Sequence, residues 1–379
     1  MILGIDATNV RGGGGVTYVM EVLNNLREED IPFSKVVIWG NEALKRQLTA
    51  NEKIEYVLTP QIDQGFLKSS LWKAFAFPKL IQQHKIDLIF APGGVFYSKS
   101  YPYVSMSQNM LVFDKVERNR FKWNSFMRLK LIMINFFQTR SFLNAKGIIF
   151  ISEYARDFIK AKINYTCDHT LIRHGIAERF NQVPKLQQPI EAYSFSNPYK
   201  LLYISIIDAY KHHVPLIEAV NELRKKGIPL TLELVGPAYG PAFKRFEAAL
   251  AQLTGSEEFI HYHGSVDYQK IETFYKEADL FVYTSSCENM PNIVVEAMNA
   301  GLPIVSSNYA PMPEYLQAGA IYVDPLDASD VERGLQLAIE NPDLRQKNAQ
   351  LSYESSGQYN WPKCAKETIN YLYKIATKK

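Results

Sequence analysis

Ser285-Ser286-Cys287-Glu288-Asn289-Met290-Pro291-Asn292-Ile293-Val294-Val295-Glu296-Ala297-Met298-Asn299-Ala300-Gly301-Leu302-Pro303 follows the apolar run Leu280-Phe281-Val282-Tyr283. The order is a hydrophobic strand, a loop of small polar residues, and a helix start. Such a turn presents backbone N–H groups and the positive end of a helix dipole to an anion, and phosphate is the expected guest. Glu288 stands in the loop and Glu296 in the first turns of the helix, so one ligand lying across the helix N-terminus meets both. The two acids alone also fit a surface helix that buries Ile293, Val294, Ala297 and Met298 and leaves its carboxylates in water.

Outward from this stretch, short apolar strands alternate with amphipathic helices, the pattern of parallel sheets with crossover helices. Strands are predicted at Ile2–Ile5, Val36–Trp39, Glu55–Leu58, Leu88–Phe90, Tyr103–Ser107 and Gly147–Ile151. A second series runs through Leu201–Ile206, Leu230–Val235, Phe259–His263, Leu280–Thr284, Ile304–Ser306 and Ile321–Val323. Helices are expected over Gly15–Leu26, Leu71–His84, Trp123–Leu143, Glu153–Lys162 and Trp361–Lys379. Two Rossmann-like halves fit this series better than one sheet. The polar, proline-marked stretch from Asn181 to Ile190 predicts a linker at 181–195, between a first domain over 1–180 and a second over 196–360.

The chain has 379 residues, too many for one ordinary core, and 47% of them are apolar. Its mean hydropathy of -0.17 describes a soluble globular protein. No apolar run reaches spanning length and the chain opens directly on a strand, so a cytoplasmic location is expected. Three scattered cysteines, Cys167, Cys287 and Cys364, suggest neither a disulfide framework nor a zinc cluster. A net charge of +3 gives no argument for a nucleic-acid partner.

From Gly264-Ser265-Val266 through Phe274–Val282 to Gly301-Leu302-Pro303-Ile304-Val305, with Pro313-Glu314 and Val323-Asp324-Pro325, the chain resembles the family-4 nucleotide-sugar glycosyltransferases. That family carries the same pair of glutamates with seven residues between them, here Glu288 and Glu296. The resemblance implies the GT-B fold: two facing Rossmann-like domains, the donor held mainly by the second and the acceptor by the first, with the C-terminal helix 361–379 crossing back to the first. It implies a nucleotide-diphosphate sugar as co-substrate, no cofactor, and a retaining transfer to a glycan or lipid-linked glycan, as in bacterial surface-polysaccharide assembly. Front-face attack, with the departing phosphate taking the acceptor proton, is the mechanism it suggests.

On these terms Glu296 is the candidate ribose clamp, since a carboxylate accepts from two vicinal hydroxyls, and Glu288 the partner of the donor hexose. Backbone donors at Asn292, Ile293 and Val294 would meet the phosphates. Gly12-Gly13-Gly14-Gly15 lets backbone approach a phosphate or sugar without a Cβ in the way, and Gly14 and Gly15 are assigned to the donor. The segment Ser205-Ile206-Ile207-Asp208-Ala209-Tyr210-Lys211 matches the family at the lysine, where Lys211 offsets the charge of the leaving diphosphate. Ile206 replaces the usual arginine, with Arg11, His212 and the loop backbone as candidate substitutes. The strand end at His263 and the loop at Gly236 are placed to offer the base backbone bonds and an edge to stack on, His263 alone also fitting a packed core histidine, and Ser205 is assigned to the donor. No Asp-X-Asp sequence is present to hold a divalent metal, so metal-independent transfer is expected.

For the acceptor, Gln108 and Asn109 stand where relatives carry histidine and aspartate. Neither titrates, so Asn109 is read as a positioning residue or a turn residue, with Asp114 in reserve. His174 occupies a position where asparagine is usual. From Arg118 to Ser152 there is no acid. Arg118, Arg120, Lys122, Arg128, Lys130, Arg140 and Lys146 are interleaved there with aromatic residues. Such a segment suits an anionic membrane surface or a lipid-diphosphate acceptor, and equally a helix whose apolar face packs into the first domain. Two other readings stay open: a sugar-nucleotide 2-epimerase of the same architecture, and a non-catalytic nucleotide-sugar or glycan-binding protein.

Overall fold

Parallel strands covered on both faces are near-continuous apolar runs. Leu88-Ile89-Phe90-Ala91 and Gly147-Ile148-Ile149-Phe150 are such runs, and every residue in them is buried. The computed structural model describes residues 1–10, 13–64, 66–96 and 98–378. Two compact units make up the chain. The first comprises Met1–Phe113, Asn124–Gly175 and Asn360–Lys379, and the second Asp114–Trp123 and Ile176–Tyr359. The boundary thus falls at Gly175 rather than within 181–195, and Asp114–Trp123 counts with the second unit although it lies within 1–180. Phe121, 4% exposed, shows why: its ring meets that of Tyr239 edge-on at 5.9 Å.

The first unit carries a seven-stranded sheet. Its strands are β1 (Ile2–Asp6), β2 (Lys35–Gly40), β3 (Ile54–Leu58), β4 (Leu88–Ala91), β5 (Tyr103–Ser107), β6 (Gly147–Phe150) and β7 (Asp168–Leu171). All are parallel, in the order β3-β2-β1-β4-β5-β6-β7, so the winding reverses between β1 and β4. Helix Trp361–Thr377 belongs to this unit and packs on helix Gly14–Asn24. The Tyr18 hydroxyl lies 3.0 Å from Thr368 Oγ1 at that contact, where Ile369 and Leu372 are buried. Burial of each such side chain stabilises by roughly 1.5–3 kcal/mol.

Three local readings change. The helix expected over Leu71–His84 is two helices, Phe66–Phe75 and Phe77–Gln83, because Pro78 has no N–H to give the preceding turn and sits at the start of the second. The long helix runs Phe126–Asn144, set by Ser125, whose hydroxyl accepts from Arg128 N at 3.2 Å. Strand β7 was not expected: its Asp168-His169-Thr170-Leu171 is polar and half-buried, as the last strand of a sheet permits.

The second unit carries a six-stranded parallel sheet in the order β10-β9-β8-β11-β12-β13. These strands are β8 (Tyr199–Ile204), β9 (Leu230–Val235), β10 (Ile260–Tyr262), β11 (Leu280–Tyr283), β12 (Ile304–Ser307) and β13 (Ile321–Val323). The winding reverses between β8 and β11. Open α/β sheets take ligands beyond the carboxyl ends of their strands at such a reversal. Among the described residues no helix is long and apolar enough to cross a membrane.

Candidate active site

At the reversal in the second unit, β8 ends in the loop that carries Lys211 and β11 in the loop that carries Glu288. Asp208 shapes the first loop: its carboxylate accepts from Ala209 N at 2.6 Å and opens the short turn Ala209–Lys211. His212 follows in a left-handed conformation, φ 48°, from which helix His213–Lys225 departs. A non-glycine residue there is strained by about 1–3 kcal/mol, tolerated where the surroundings fix the turn. They do so through the Lys211 carbonyl, which accepts from Tyr203 Oη at 2.7 Å and Thr284 Oγ1 at 3.0 Å.

The Lys211 ammonium, 6% exposed, donates to Glu288 Oε1 and to Tyr283 Oη at 2.8 Å. Tyr283 in turn donates to Glu288 Oε1 at 2.8 Å, and Ser285 Oγ donates to the same oxygen at 2.6 Å. An ammonium has three protons, so one remains for a ligand oxygen. All three bonds to Glu288 end on Oε1, so among the described residues Oε2 is the atom left to accept from a hydroxyl. Burial and the neighbouring Glu288 charge push the Tyr283 phenol well above its usual range, so it stays a donor. The ion pair ends strand β11 and lies beside helix Asn292–Asn299, which has no side-chain cap at its N-terminus. Val294 N–H does not fit the donor role expected of it: it is turned to the Pro291 carbonyl at 3.0 Å. Ile293 N–H is the donor in this turn that none of the described residues engages.

Glu296 is 4% exposed, and Tyr268 Oη donates to its Oε1 at 2.7 Å while Tyr275 Oη lies 3.0 Å from its Oε2. Desolvation raises its pKa against these hydrogen bonds and the Arg179 charge. Arg179 lies over the Tyr268 ring at 4.3 Å. Both carboxylate oxygens of Glu296 thus lie against tyrosine hydroxyls. Neither tyrosine nor Arg179 was singled out as a site residue from sequence, although Tyr275 lies in the Phe274–Val282 stretch that carries the family resemblance.

The other expected donor residues spread along the sheet. Gly236 closes on Ser205: its φ is +142°, and a Cβ would lie 2.2 Å from the Ser205 carbonyl oxygen. His263 is held by Glu233, whose Oε2 is 2.7 Å from His263 Nε2 and whose Oε1 is 2.9 Å from His261 Nδ1. His212 does not supply the charge absent at Ile206. Its Nε2 is 2.7 Å from Ser286 Oγ, and burial, then the Arg120 charge, lower its pKa to about 4, so it is neutral near pH 7. Arg11 and Gly12 lie outside the described residues. Cys287 is buried and its thiol is pushed well above its usual range, an inert packing group.

In the first unit, Gly14 and Gly15 begin helix Gly14–Asn24 after Gly13, whose φ is 62°. A Cβ on Gly15 would stand 3.0 Å from Gln108 Oε1, so the glycine turn and the loop after β5 come together. Asn109 Oδ1 accepts from Leu111 N at 3.0 Å, the turn role. Asp114 is in the second unit, and its Oδ1 caps helix Lys115–Arg118 from Val116 N at 2.9 Å and Glu117 N at 3.1 Å. Spent on the cap, it fits poorly as an acceptor ligand. His174 is 3% exposed and stacks on Trp361 at 5.6 Å, a packing role. One cluster was missed: Asp6, 1% exposed at the end of β1, pairs with Lys73 Nζ at 2.8 Å and accepts from Thr8 Oγ1 at 2.5 Å. An acid closing an apolar strand was its sequence signal.

Residues 187–355, nearly the whole second unit with both loops, match the family model described as glycosyl transferases group 1. This chain carries a group 1 glycosyl transferase domain. The O-antigen chain mannosyltransferase B of Escherichia coli is 25% identical over 242 residues, 61% of each chain. The chain therefore spans about three-fifths of that relative. An uncharacterized glycosyltransferase of Haemophilus influenzae is 21% identical over 96% of this chain and 98% of its own. Among solved structures, Anabaena Alr3699/HepE in complex with UDP superposes with a TM-score of 0.71 at 18% identity over 98% of this chain and 99% of that one. WaaG, a glycosyltransferase involved in lipopolysaccharide biosynthesis, does so with 0.70 at 15% identity over 98% and 99%. The group 1 domain and its partner unit have the GT-B fold.

Proposed function

We propose that this group 1 enzyme transfers a sugar from a nucleotide-diphosphate sugar to a glycan or lipid-linked glycan in bacterial surface-polysaccharide synthesis, retaining the anomeric configuration. The observation that carries this is the buried Lys211–Glu288 pair at the sheet reversal, beside an uncapped helix N-terminus. The arrangement separates charge as transfer requires. The third Lys211 proton and the helix end face diphosphate oxygens, while Glu288 Oε2 accepts from a donor-sugar hydroxyl. As the glycosidic bond breaks, negative charge grows on the β-phosphate, and a fixed ammonium and dipole stabilise it more than the ground state. The phosphate takes the acceptor proton, so no titrating side chain is needed at Gln108, which positions the acceptor, or at Asn109, whose Oδ1 holds the turn beside it. Charge neutralisation by Lys211 and the helix makes transfer independent of divalent metal, a reading that loss of turnover in EDTA and its return with magnesium would overturn. The similarity to the O-antigen chain mannosyltransferase B supports the polysaccharide setting.

A thermal-shift screen of uridine, guanosine and adenosine diphosphate sugars tests the donor site, since a ligand binding the native state alone raises its stability. Turnover of the binding donor with a lipid-linked glycan then tests transfer. Epimer formation in the absence of acceptor would overturn the transferase assignment.

A further inference from the structure

Helix Phe126–Asn144 carries apolar residues on its outward side as well as its inward one. Its inward side buries Leu131 and Phe142, the latter stacked on Phe113 at 5.8 Å, together with Gln138 and Ser141, and Asn135 and Ser141 add polar contacts to the rest of the first unit. Asn135 Nδ2 donates to Val112 O at 3.0 Å, Ser141 Oγ accepts from Phe96 N at 2.9 Å, and Tyr103 Oη donates to Ser141 O at 2.8 Å. Gln138 is 3% exposed. Its outward face carries Phe126, Leu129, Ile132, Met133, Phe136 and Leu143, exposed from 37% to 80%. Leu129, Ile132 and Phe136 follow one another at three- and four-residue spacing and Leu143 lies seven residues on, so they share one face, with Arg140 between the last two. Lys130 and Arg140 stand within that exposed face, and Lys146 is exposed just after it. These outward apolar residues, unlike Leu131 and Phe142, do not pack into the unit.

We infer that this outward face docks on an anionic lipid bilayer, the helix lying flat with its apolar stripe in the headgroup boundary and its cations among lipid phosphates. Solvated aromatic and aliphatic side chains sharing one face mark a surface that something covers. The occupant is set by charge: the span from Arg118 to Ser152 holds no acid. A second copy meeting this face about a two-fold axis would set the same cations against one another. A lipid surface supplies dense negative charge and an apolar interior together, and the helix, about 28 Å long by its 1.5 Å rise, is long enough to lie along it. The inward contact of Asn135 with Val112 places the docked element against the loop that carries Gln108 and Asn109. This deepens the proposed function by making the acceptor lipid-linked, and only that choice rests on it.

The test is co-sedimentation of the full chain with vesicles of phosphatidylcholine alone and of phosphatidylcholine mixed with phosphatidylglycerol. Binding is expected only with phosphatidylglycerol and is expected to weaken as salt rises. Leu129→Ser with Phe136→Ser should lower partitioning about a hundredfold, and Lys130→Glu with Arg140→Glu about tenfold. Both pairs should melt like the parent, since the altered side chains are solvent-facing. Equal sedimentation of the parent and the apolar double variant, or equal binding to the two vesicle types, would overturn the inference. So would a parent oligomer that the apolar variant converts to monomer while neither binds vesicles, which would assign the stripe to contact between copies. Vesicle binding without nucleotide-sugar turnover would remove the proposed function and leave the lipid surface standing.

Discussion

Lys211 and Glu288 are each other's solvation. Neither is in bulk water, so the loss of one leaves the other a buried charge with only hydroxyls for company, a change that destabilises buried pairs by about 3–5 kcal/mol. Lys211→Ala should therefore lower kcat by at least about a hundredfold and also lower the melting temperature, a combination that distinguishes it from a surface lysine. Steady-state kinetics with a calorimetric scan checks both, and near-parental kcat would remove Lys211 from catalysis. Tyr268→Phe separates the two roles of Glu296. Removing the hydroxyl leaves Oε1 unpaired and should lower stability by about 1–3 kcal/mol. A bound ribose restores the missing donor, so the donor-induced rise in melting temperature should be larger than in the parent. An unchanged rise would place the ribose elsewhere. The glutamates themselves were singled out because the sequence around them resembles the family-4 glycosyltransferases, which carry the pair at this spacing; the two acids alone also fit a surface helix. Their tyrosine partners were not singled out, because a partner comes from another element: Tyr268 and Tyr275 reach Glu296 from far along the chain, and no local pattern marks which hydroxyl points inward.

Among the elements, strands β4, β5 and β6 were readable because both their faces are covered and every residue in them is apolar or small. Strand β7 was hidden by its polar, half-covered composition, and the orientation of helix Phe126–Asn144 by the presence of apolar residues on both its sides. Two elements invite direct perturbation. Gly236→Ala forces a Cβ toward the Ser205 carbonyl, 2.2 Å away, in a backbone region that L-residues rarely enter. It should destabilise the second unit by about 1–3 kcal/mol, read as a shifted denaturation midpoint with unchanged slope. The start of helix His213–Lys225 holds two neutral imidazoles, His212 lowered to about 4 and His213 to about 3, both chiefly by burial. Arg120 adds to the first shift, and Lys211 and His212 to the second. Unfolding lets each take up a proton near 6.5. The unfolded chain then binds more protons than the folded one between these values, and stability falls as pH drops through that window. The contribution is complete above about 6.5 and its full loss amounts to about 3 kcal/mol or more. His213→Phe keeps the stack on Tyr203, now at 4.6 Å, and should flatten the fall between pH 7 and pH 4.5 in urea denaturation.

Across the whole molecule, neither unit is one continuous piece of chain. A fragment ending at Gly175 lacks helix Trp361–Thr377 and uncovers Tyr18, which is 0% exposed in the intact protein. Such a fragment should be aggregation-prone, and co-expression with residues 360–379 should return it to the soluble fraction; a soluble, cooperatively melting fragment without that helix would show the contact to be dispensable. The same interleaving orders events during translation. The helix that closes the first unit is made only after all of Ile176–Tyr359 has been polymerised, a delay on the order of ten to forty seconds at ordinary ribosomal speeds. Throughout that interval the half-made nascent chain presents an uncovered greasy flank, which makes it a natural client for holding chaperones.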